Sequence, residues 1–552
     1  MPTLDWIGKD AVINHHKEVP FRLLKCRADL SVGDPDSGNL LVQGDNLEAL
    51  KALLPYYAGQ VKCIYIDPPY NTGKEGWVYN DNVSSPEIKE WLGKVVGAEI
   101  DDLSRHDKWL SMMYPRLNLA KEFLTKDDVI FISIDDNEIH SLRMLMDELF
   151  GKQNLLSCFI WQTEGNFDNQ AKVKIAHEYI LAYTKDYSLF PAPPVIDPNI
   201  PENSKLFKEE IRNTIVKNGP KNPVSAVLLP KGFPSELEEG IIKKRTNAWP
   251  HYKEDVVIDK FSLQKPVYAE SGWSSKKILE SFINSGFKPV LDTKGQDTIF
   301  VITKTGAIEA VKPRNENQSH VISVLRNVGS TQQMSTALSE IGISFDYPKP
   351  IGLIKYLLSM MQGNDFLVLD FFAGSGTTGH AVLEQNKTDK GKRRFILVEI
   401  DNNIVSTITA ERLKKVINGS KQIESLGGGF RFCELGTPLF DPNRQIREEV
   451  KYNDLAQHVY FIETGQPLPQ NAKKHFPLLG VHNGTAVYLL YNGILKDKSV
   501  NGGNVLTYDV LENLPEHAGT KVIYGNGSRI SKARLNDLGI VFKQIPYEIR
   551  EM

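Results

Sequence analysis

The sequence predicts an α/β fold with an open, doubly wound sheet, and three observations carry that reading. Short apolar runs end in acid, as at residues 39–45 and 61–67, which finish on Asp45 and Asp67. Helical spacing separates these runs, so residues 39–67 read as a β-α-β unit. A third run, 366–372, leads into Ala373-Gly374-Ser375-Gly376-Thr377 and then a helix, the layout of a nucleotide-type loop. In open α/β sheets ligands bind outside the carboxyl ends of the strands, so Asp45 and Asp67 face one crevice.

The elements follow in order. Residues 46–54 read as a helix and 61–66 as a strand. Met113, Leu117, Ala120 and Leu124 recur at helical spacing over 107–124, with a kink expected at Pro115. Residues 129–134 form a buried strand, 137–150 a helix closing at Gly151, and 177–183 another strand. Pro191, Pro193, Pro194, Pro198 and Pro201 then mark a linker. Beyond it regular signals are weak, apart from a hairpin at 298–302 and 307–311 around Lys304-Thr305-Gly306. α/β patterning resumes with the strand at 366–372, a helix to about 385 and a strand at 394–401. After Gly427-Gly428-Gly429 the chain reads as a hairpin over 486–495 turning at Asn492-Gly493, then strand-helix-strand over 521–545. The resulting division is an N-terminal extension 1–38, a first catalytic half 39–188, an insert 189–328, a second half 329–425 and a small α/β C-terminal segment 426–552 suited to docking or dimerisation.

Composition bounds the partners. With 552 residues and a net charge of −3, several domains are expected and nucleic-acid binding must come from a local patch. The insert offers a candidate, interleaving Trp249, Tyr252, Tyr268, Trp273 and Phe287 with Lys and Arg, with solvated charged loops as the alternative reading. Cysteines 26, 63, 158 and 433 form no Cys-x-x-Cys pair and no secreted disulfide framework, which implies a reducing compartment and no metal site. No signal peptide or apolar run of spanning length is legible, so a cytoplasmic protein without membrane contact is expected.

Two constellations carry chemistry. Asp67-Pro68-Pro69-Tyr70 puts a carboxylate, a rigid backbone and an aromatic ring on one turn, a kit for a flat, amino-bearing ring. Capping or punctuation of a strand end is the structural alternative. The loop Phe372-Ala373-Gly374-Ser375-Gly376-Thr377 lets backbone approach a ligand, and Glu399, at the next strand end, is placed to accept from ribose hydroxyls. It lacks the Gly-Lys-Ser/Thr ending of a P-loop, so a nucleoside-triphosphate motor is excluded. Together they point to methyl transfer from S-adenosylmethionine to an exocyclic amine. Asp67 and the Pro68 carbonyl each accept an amino hydrogen and aim the lone pair, while Tyr70 stacks on the base. A base inside a duplex must be flipped out first, at about a few kcal/mol. Carbon-5 methylation of cytosine would need a cysteine after a proline, and none of the four cysteines follows one.

The chain resembles the β-class amino-methyltransferases of DNA, in particular the Mod subunits of type III restriction-modification systems. The matching stretches are LLVQGDN at 40–46, IYIDPPYNTG at 64–73, IDDNE at 134–138, HEYIL at 177–181, YPKP at 347–350 and VLDFFAGSGTT, which contains Asp370, at 368–378. The resemblance implies a Rossmann-like sheet built from two distant segments, with a target-recognition domain as the insert. It implies that Asp45 and Asn46 lie by the cofactor adenine, that Lys349 and Pro350 precede the helix flanking the methionine moiety, and that the Asp form of the motif selects adenine N6. Cytosine N4 is the alternative target, and a non-catalytic DNA-recognition subunit the alternative role. Double-stranded DNA, a second copy of the chain and a nuclease-helicase restriction subunit are the implied partners.

Overall fold

The computed structural model describes residues 3–34, 36–72, 102–163, 172–195, 197, 199–200, 210–313, 320–420, 423–443, 445–469, 472–473, 475–492 and 503–546. Six strands of the main sheet come from the first part of the chain: β1 (Arg22–Gly33), β2 (Leu40–Gln43), β3 (Val61–Ile66), β4 (Leu124–Ile134), β5 (Leu155–Gln162) and β6 (His177–Thr184). Four come from the second part: β7 (Val324–Leu325), β8 (Leu367–Asp370), β9 (Arg394–Glu399) and β10 (Gly429–Pro438). Their order is β1-β10-β2-β9-β8-β3-β4-β6-β5-β7. The six strands from β10 to β4 are mutually parallel, whereas β1 and β6 run antiparallel to their neighbours.

Parallel strands buried on both faces need apolar side chains throughout, which is why β2, β3, β8 and β9 read as continuous apolar runs rather than alternating ones. Helix α1 (Asn46–Tyr57) packs against α2 (Asp102–Phe123) over β3, burying Leu50, Leu53, Trp109, Met113, Leu117 and Phe123 completely. Each such side chain contributes about 1.5–3 kcal/mol relative to exposure. Helix α2 runs through Pro115, the position where the sequence places a kink. Helix α3 (Ile139–Met146) passes into a π-helical turn ending at Gly151, whose φ of 90° is the left-handed stop expected there.

β8 and β9 insert between β2 and β3, so one sheet is assembled from two distant segments. From β3 the chain moves outward to β4, and from β8 it moves the other way to β9. The strand order therefore reverses between β3 and β8, although the two strands run parallel. That reversal opens a crevice at the carboxyl ends of these two neighbours.

The sheet reaches beyond the halves expected from sequence, since β1 precedes residue 39 and β10 follows 425. β1 and β10 pair in antiparallel register, and Cys26 opposite Cys433 forms a disulfide. Cysteine spacing gave no sign of it, because the two positions meet only through pairing of strands 407 residues apart.

Residues 195–320 form a separate compact unit, narrower than the insert expected at 189–328, because β7 at 324–325 belongs to the main sheet. The unit is richer in strands than its sequence suggested, with two three-stranded sheets and one four-stranded sheet around Phe233, Tyr252, Trp273, Phe282 and Phe300. Its expected hairpin is present, Asp297–Ile302 pairing with Ile308–Pro313. In the C-terminal segment, Thr485–Leu489 pairs back with Leu478–His482 through a turn at Asn483-Gly484, both with positive φ. The hairpin expected to turn at Asn492-Gly493 is thus displaced toward the N-terminus, and Gly493 to Leu495 lie outside the described residues. Lys521–Gly525, Lys532–Asp537 and Ile540–Gln544 form the expected strand-helix-strand. Among the described residues no helix is long and apolar enough to cross a membrane.

Candidate active site

Asp67-Pro68-Pro69-Tyr70 leaves the end of β3 and is fixed from several sides. The Pro69 carbonyl accepts from the Trp109 indole at 2.7 Å. Asn71 adopts a left-handed φ of 59°, and its side-chain amide donates to the Arg105 carbonyl at 3.2 Å and to Glu138 at 2.5 Å. Glu138 is fully buried and also holds His106 Nδ1 at 2.6 Å. A non-glycine residue rarely keeps this backbone conformation unless its surroundings impose it. Here Glu138, from the IDDNE stretch, and α2 do so. Gly73, the last residue of the matching stretch, lies outside the described residues.

Lys349 connects this turn to the opposite wall. Its ammonium lies 2.9 Å from Asp67 and 3.3 Å from Glu178. It also stands over the Tyr70 ring at 4.8 Å and the Trp161 ring at 5.9 Å, both within cation–π range. Tyr70 donates its hydroxyl to Glu178 at 2.8 Å. Lys349 thus reaches the Asp67 turn from just before the helix at Ile351–Ser359, the helix that the resemblance sets beside the methionine moiety. Burial raises the Asp67 carboxyl above its ordinary value, with the Lys349 ammonium opposing this and the Glu178 charge adding to it. Burial works to lower Lys349, but the flanking Asp67 and Glu178 outweigh it and keep the amine charged.

The glycine loop follows β8. Gly374 and Gly376 have φ of 48° and 77°, and Gly376 starts helix α4 (Thr377–Asp389). Asp370 closes the strand, one oxygen accepting from the Phe372 amide at 3.0 Å and the other from the Thr378 hydroxyl at 2.5 Å. Burial pushes this carboxyl up to about 7. Glu399, at the end of β9, accepts from the Gly374 and Asp401 amides at 2.8 and 3.0 Å. From below, the fully buried Arg412 donates to the Ser375 carbonyl and hydroxyl and to the Thr377 hydroxyl at 2.9–3.2 Å. β3 and β8 are neighbours, Ile64 opposite Leu369, so the Asp67 turn and the loop leave adjacent strands at the same edge.

Asp45 and Asn46 are engaged in structure. Asp45 caps α1 through the Leu47 and Glu48 amides and pairs with the buried Arg116 at 3.2 Å. Asn46 accepts from Arg116 at 2.5 Å and donates to the Phe371 carbonyl at 3.1 Å, which ties the first strand-helix turn to the base of the loop. Pro350 is the N-cap of the helix at Ile351–Ser359. Sequence reasoning missed Glu178, Trp161, Glu138 and Arg412 as site residues. Glu178 and Glu138 lay within quoted stretches, but only the fold brings them to the turn.

Residues 61–411, well over half of the chain, match the N6/N4 methyltransferase family model, described as DNA methylase. The chain belongs to this family of DNA methylases. It is 36% identical over 467 residues to the type III restriction-modification enzyme EcoPI Mod subunit of Escherichia phage P1, covering 77% of this chain and 69% of that protein. It is 30% identical over 474 residues to the EcoP15I Mod subunit of Escherichia coli, covering 77% and 68%. With the StyLTI Mod subunit of Salmonella typhimurium it shares 29% identity over 497 residues, covering 84% and 70%. The methyl donor of this methylase is S-adenosylmethionine. The crevice residues fit that group: the left-handed φ of Gly374 and Gly376 suits glycine and keeps side chains off the loop backbone, and the carboxylates of Asp67 and Glu399 stand at the strand ends to receive a cationic centre and hydroxyls.

Proposed function

We propose that this methylase modifies N6 of an adenine flipped out of duplex DNA. The observation that carries the reading is the Asp67 turn and the glycine loop leaving adjacent strands β3 and β8 at one edge. Phe372, Ala373, Gly374, Ser375, Gly376 and Thr377 hold the cofactor at the loop, with Asp370 bracing it and Glu399 receiving the ribose hydroxyls. Asp45 and Asn46 fix the neighbouring turn beneath the adenine end. When bound, S-adenosylmethionine supplies an electrophilic methyl on a sulfonium.

The chain's own residues orient the acceptor. The Asp67 carboxylate and the Pro68 carbonyl accept the two amino hydrogens, which turns the nitrogen lone pair out of the ring plane. Pro68 and Pro69 fix the spacing of those acceptors. Tyr70, its hydroxyl held by Glu178, presents its ring to the base. In this proposal residues 195–320 read the target sequence, the chain pairs with a second copy of itself, and it works alongside a restriction subunit, the last supported by the relatives named Mod subunits of restriction-modification enzymes.

The test is incubation with labelled S-adenosylmethionine and duplex DNA, followed by digestion to nucleosides. Label in N6-methyladenine is the expected result. Label in N4-methylcytosine alone would move the target to cytosine, and absence of label from every base would remove the catalytic reading.

A further inference from the structure

Three charged side chains meet at the Asp67 turn, and only one of them is cationic. Asp67 comes from the end of β3, Glu178 from β6, and Lys349 from the segment before the helix at Ile351–Ser359. β4 lies between β3 and β6, so the two carboxylates stand on strands about 10 Å apart at their backbones, and Lys349 bridges the gap. One Glu178 oxygen receives both the Tyr70 hydroxyl at 2.8 Å and the Lys349 ammonium at 3.3 Å. The pairing of Glu178 opposite Trp161, a fully buried residue of β5, locks its place on the sheet.

This arrangement meets a specific chemical need. A carboxylate bound wholly to one ammonium is a weak acceptor, because its negative charge is already neutralised by the closest donor. We propose that Glu178 is a positioning residue that shares Lys349 with Asp67, leaving the Asp67 carboxylate able to accept from the target amine. The inference rests on the methyl-transfer reading of the Asp67 turn. The amine that gains a methyl must release one proton, and Asp67 receives it through the oxygen facing the base while Lys349 stays between the two acids. With Asp67 and Glu178 ionised and Lys349 protonated, the trio carries a net charge of −1, which suits a site that must take in a cationic methyl donor.

The other titratable groups whose fields reach the trio are Tyr65 and Tyr70 beside Asp67, Asp370 from β8 and Asp135 from the end of β4. Among the described residues none of them is cationic, and Lys349 is the cation that Glu178 shares with Asp67.

Glu178→Gln isolates the charge, because the amide oxygen still accepts from Tyr70. Thermal melting and calorimetric binding of S-adenosylmethionine check that the variant folds and loads. The expected result is a kcat lower by about tenfold and an acid limb of the kcat–pH profile moved to lower pH, since a like charge beside Asp67 has gone. Glu178→Asp should recover the acid limb and part of the rate. Wild-type kcat in Glu178→Gln, or a reduced kcat with an unmoved acid limb, would overturn the proposal. If Glu178→Gln does not fold, Glu178→Ala, which also removes the charge, is read in its place, and an unmoved acid limb there would overturn the proposal as well. Failure of the wild-type protein to methylate any base would instead sink the methyl-transfer reading, which keeps the two outcomes apart.

Discussion

Lys349 places its ammonium 2.9 Å from the Asp67 carboxylate, joining a residue just before the helix at Ile351–Ser359 to the first residue after β3. The contact closes the crevice only when both segments share one sheet. It also means that an incoming amine meets an acid already in partnership, so the strength of the Asp67 acceptor depends on how firmly Lys349 is held elsewhere.

Removal of the acceptor is the first prediction. Asp67→Ala should lower kcat by roughly 100- to 1,000-fold, the range for deleting one preorganised polar group at a reacting centre. Binding of target duplex, followed by fluorescence anisotropy, should stay within about threefold, because a single turn contributes little of the phosphate contact that dominates affinity. Near-normal turnover would take Asp67 out of the reaction.

The glycine loop gives the second. At Gly376 an added Cβ would stand 3.0 Å from Thr409 Cγ2, and the φ of 77° is unfavourable for any L side chain. Thr409 cannot retreat freely, since its hydroxyl donates to the Gly374 carbonyl at 2.6 Å. Gly376→Ala should therefore cost about 1–2 kcal/mol of stability and weaken S-adenosylmethionine binding. Chemical denaturation and calorimetry measure the two effects separately.

Legibility in the sequence followed locality. The runs at 61–66 and 366–372 named β3 and β8 because parallel strands buried on both faces leave no alternation to misread. β1 escaped notice because most of its residues are exposed, including Cys26, Ala28 and Leu30, which alternate with Lys25, Arg27 and Asp29 without making a buried face. β5 carries half-buried Leu155 to Cys158 and was lost in the same way. At the site, Asp67 and Gly374 were legible from rigid or special backbone, which a short motif records. Glu178 and Arg412 were not, because their roles depend on partners brought over from other strands and helices.

Asp370 supplies a pH prediction with a definite sign. Burial raises its carboxyl from an ordinary 3.8 to about 7, so the folded state prefers the protonated form. A raised carboxyl contributes stability that is present below the unfolded value and lost as pH rises through the folded one. Stability should fall between about pH 4 and pH 7 through this group, by an amount of order 4 kcal/mol. Asp370→Asn keeps an acceptor for the Phe372 amide and a polar partner for Thr378, so its stability should lack that decline. Urea denaturation at pH 5 and pH 8 tests this: an equal decline in both proteins would show that Asp370 is not its source.

Arg412 gives the last prediction. The guanidinium is fully buried beneath the loop, and among the described residues no carboxylate pairs with it. Its donors go instead to Ser375, Thr377, the Met334 sulfur and the ring of His380, which burial keeps neutral by lowering it to about 3. Burying a charge without a counter-ion is costly, so its hydrogen bonds to the loop must offset much of that cost. A lysine retains the charge but lacks the planar fork that reaches Ser375 and Thr377 together. Arg412→Lys should lower stability by about 2–3 kcal/mol, near the value of one or two charge-assisted hydrogen bonds. It should also raise the KM for S-adenosylmethionine while changing kcat little, because Arg412 shapes the loop and stands away from Asp67. Equilibrium denaturation and steady-state kinetics at saturating DNA measure both. An unchanged KM together with lowered stability would confine Arg412 to the core and leave the loop braced by Thr409 and Asp370.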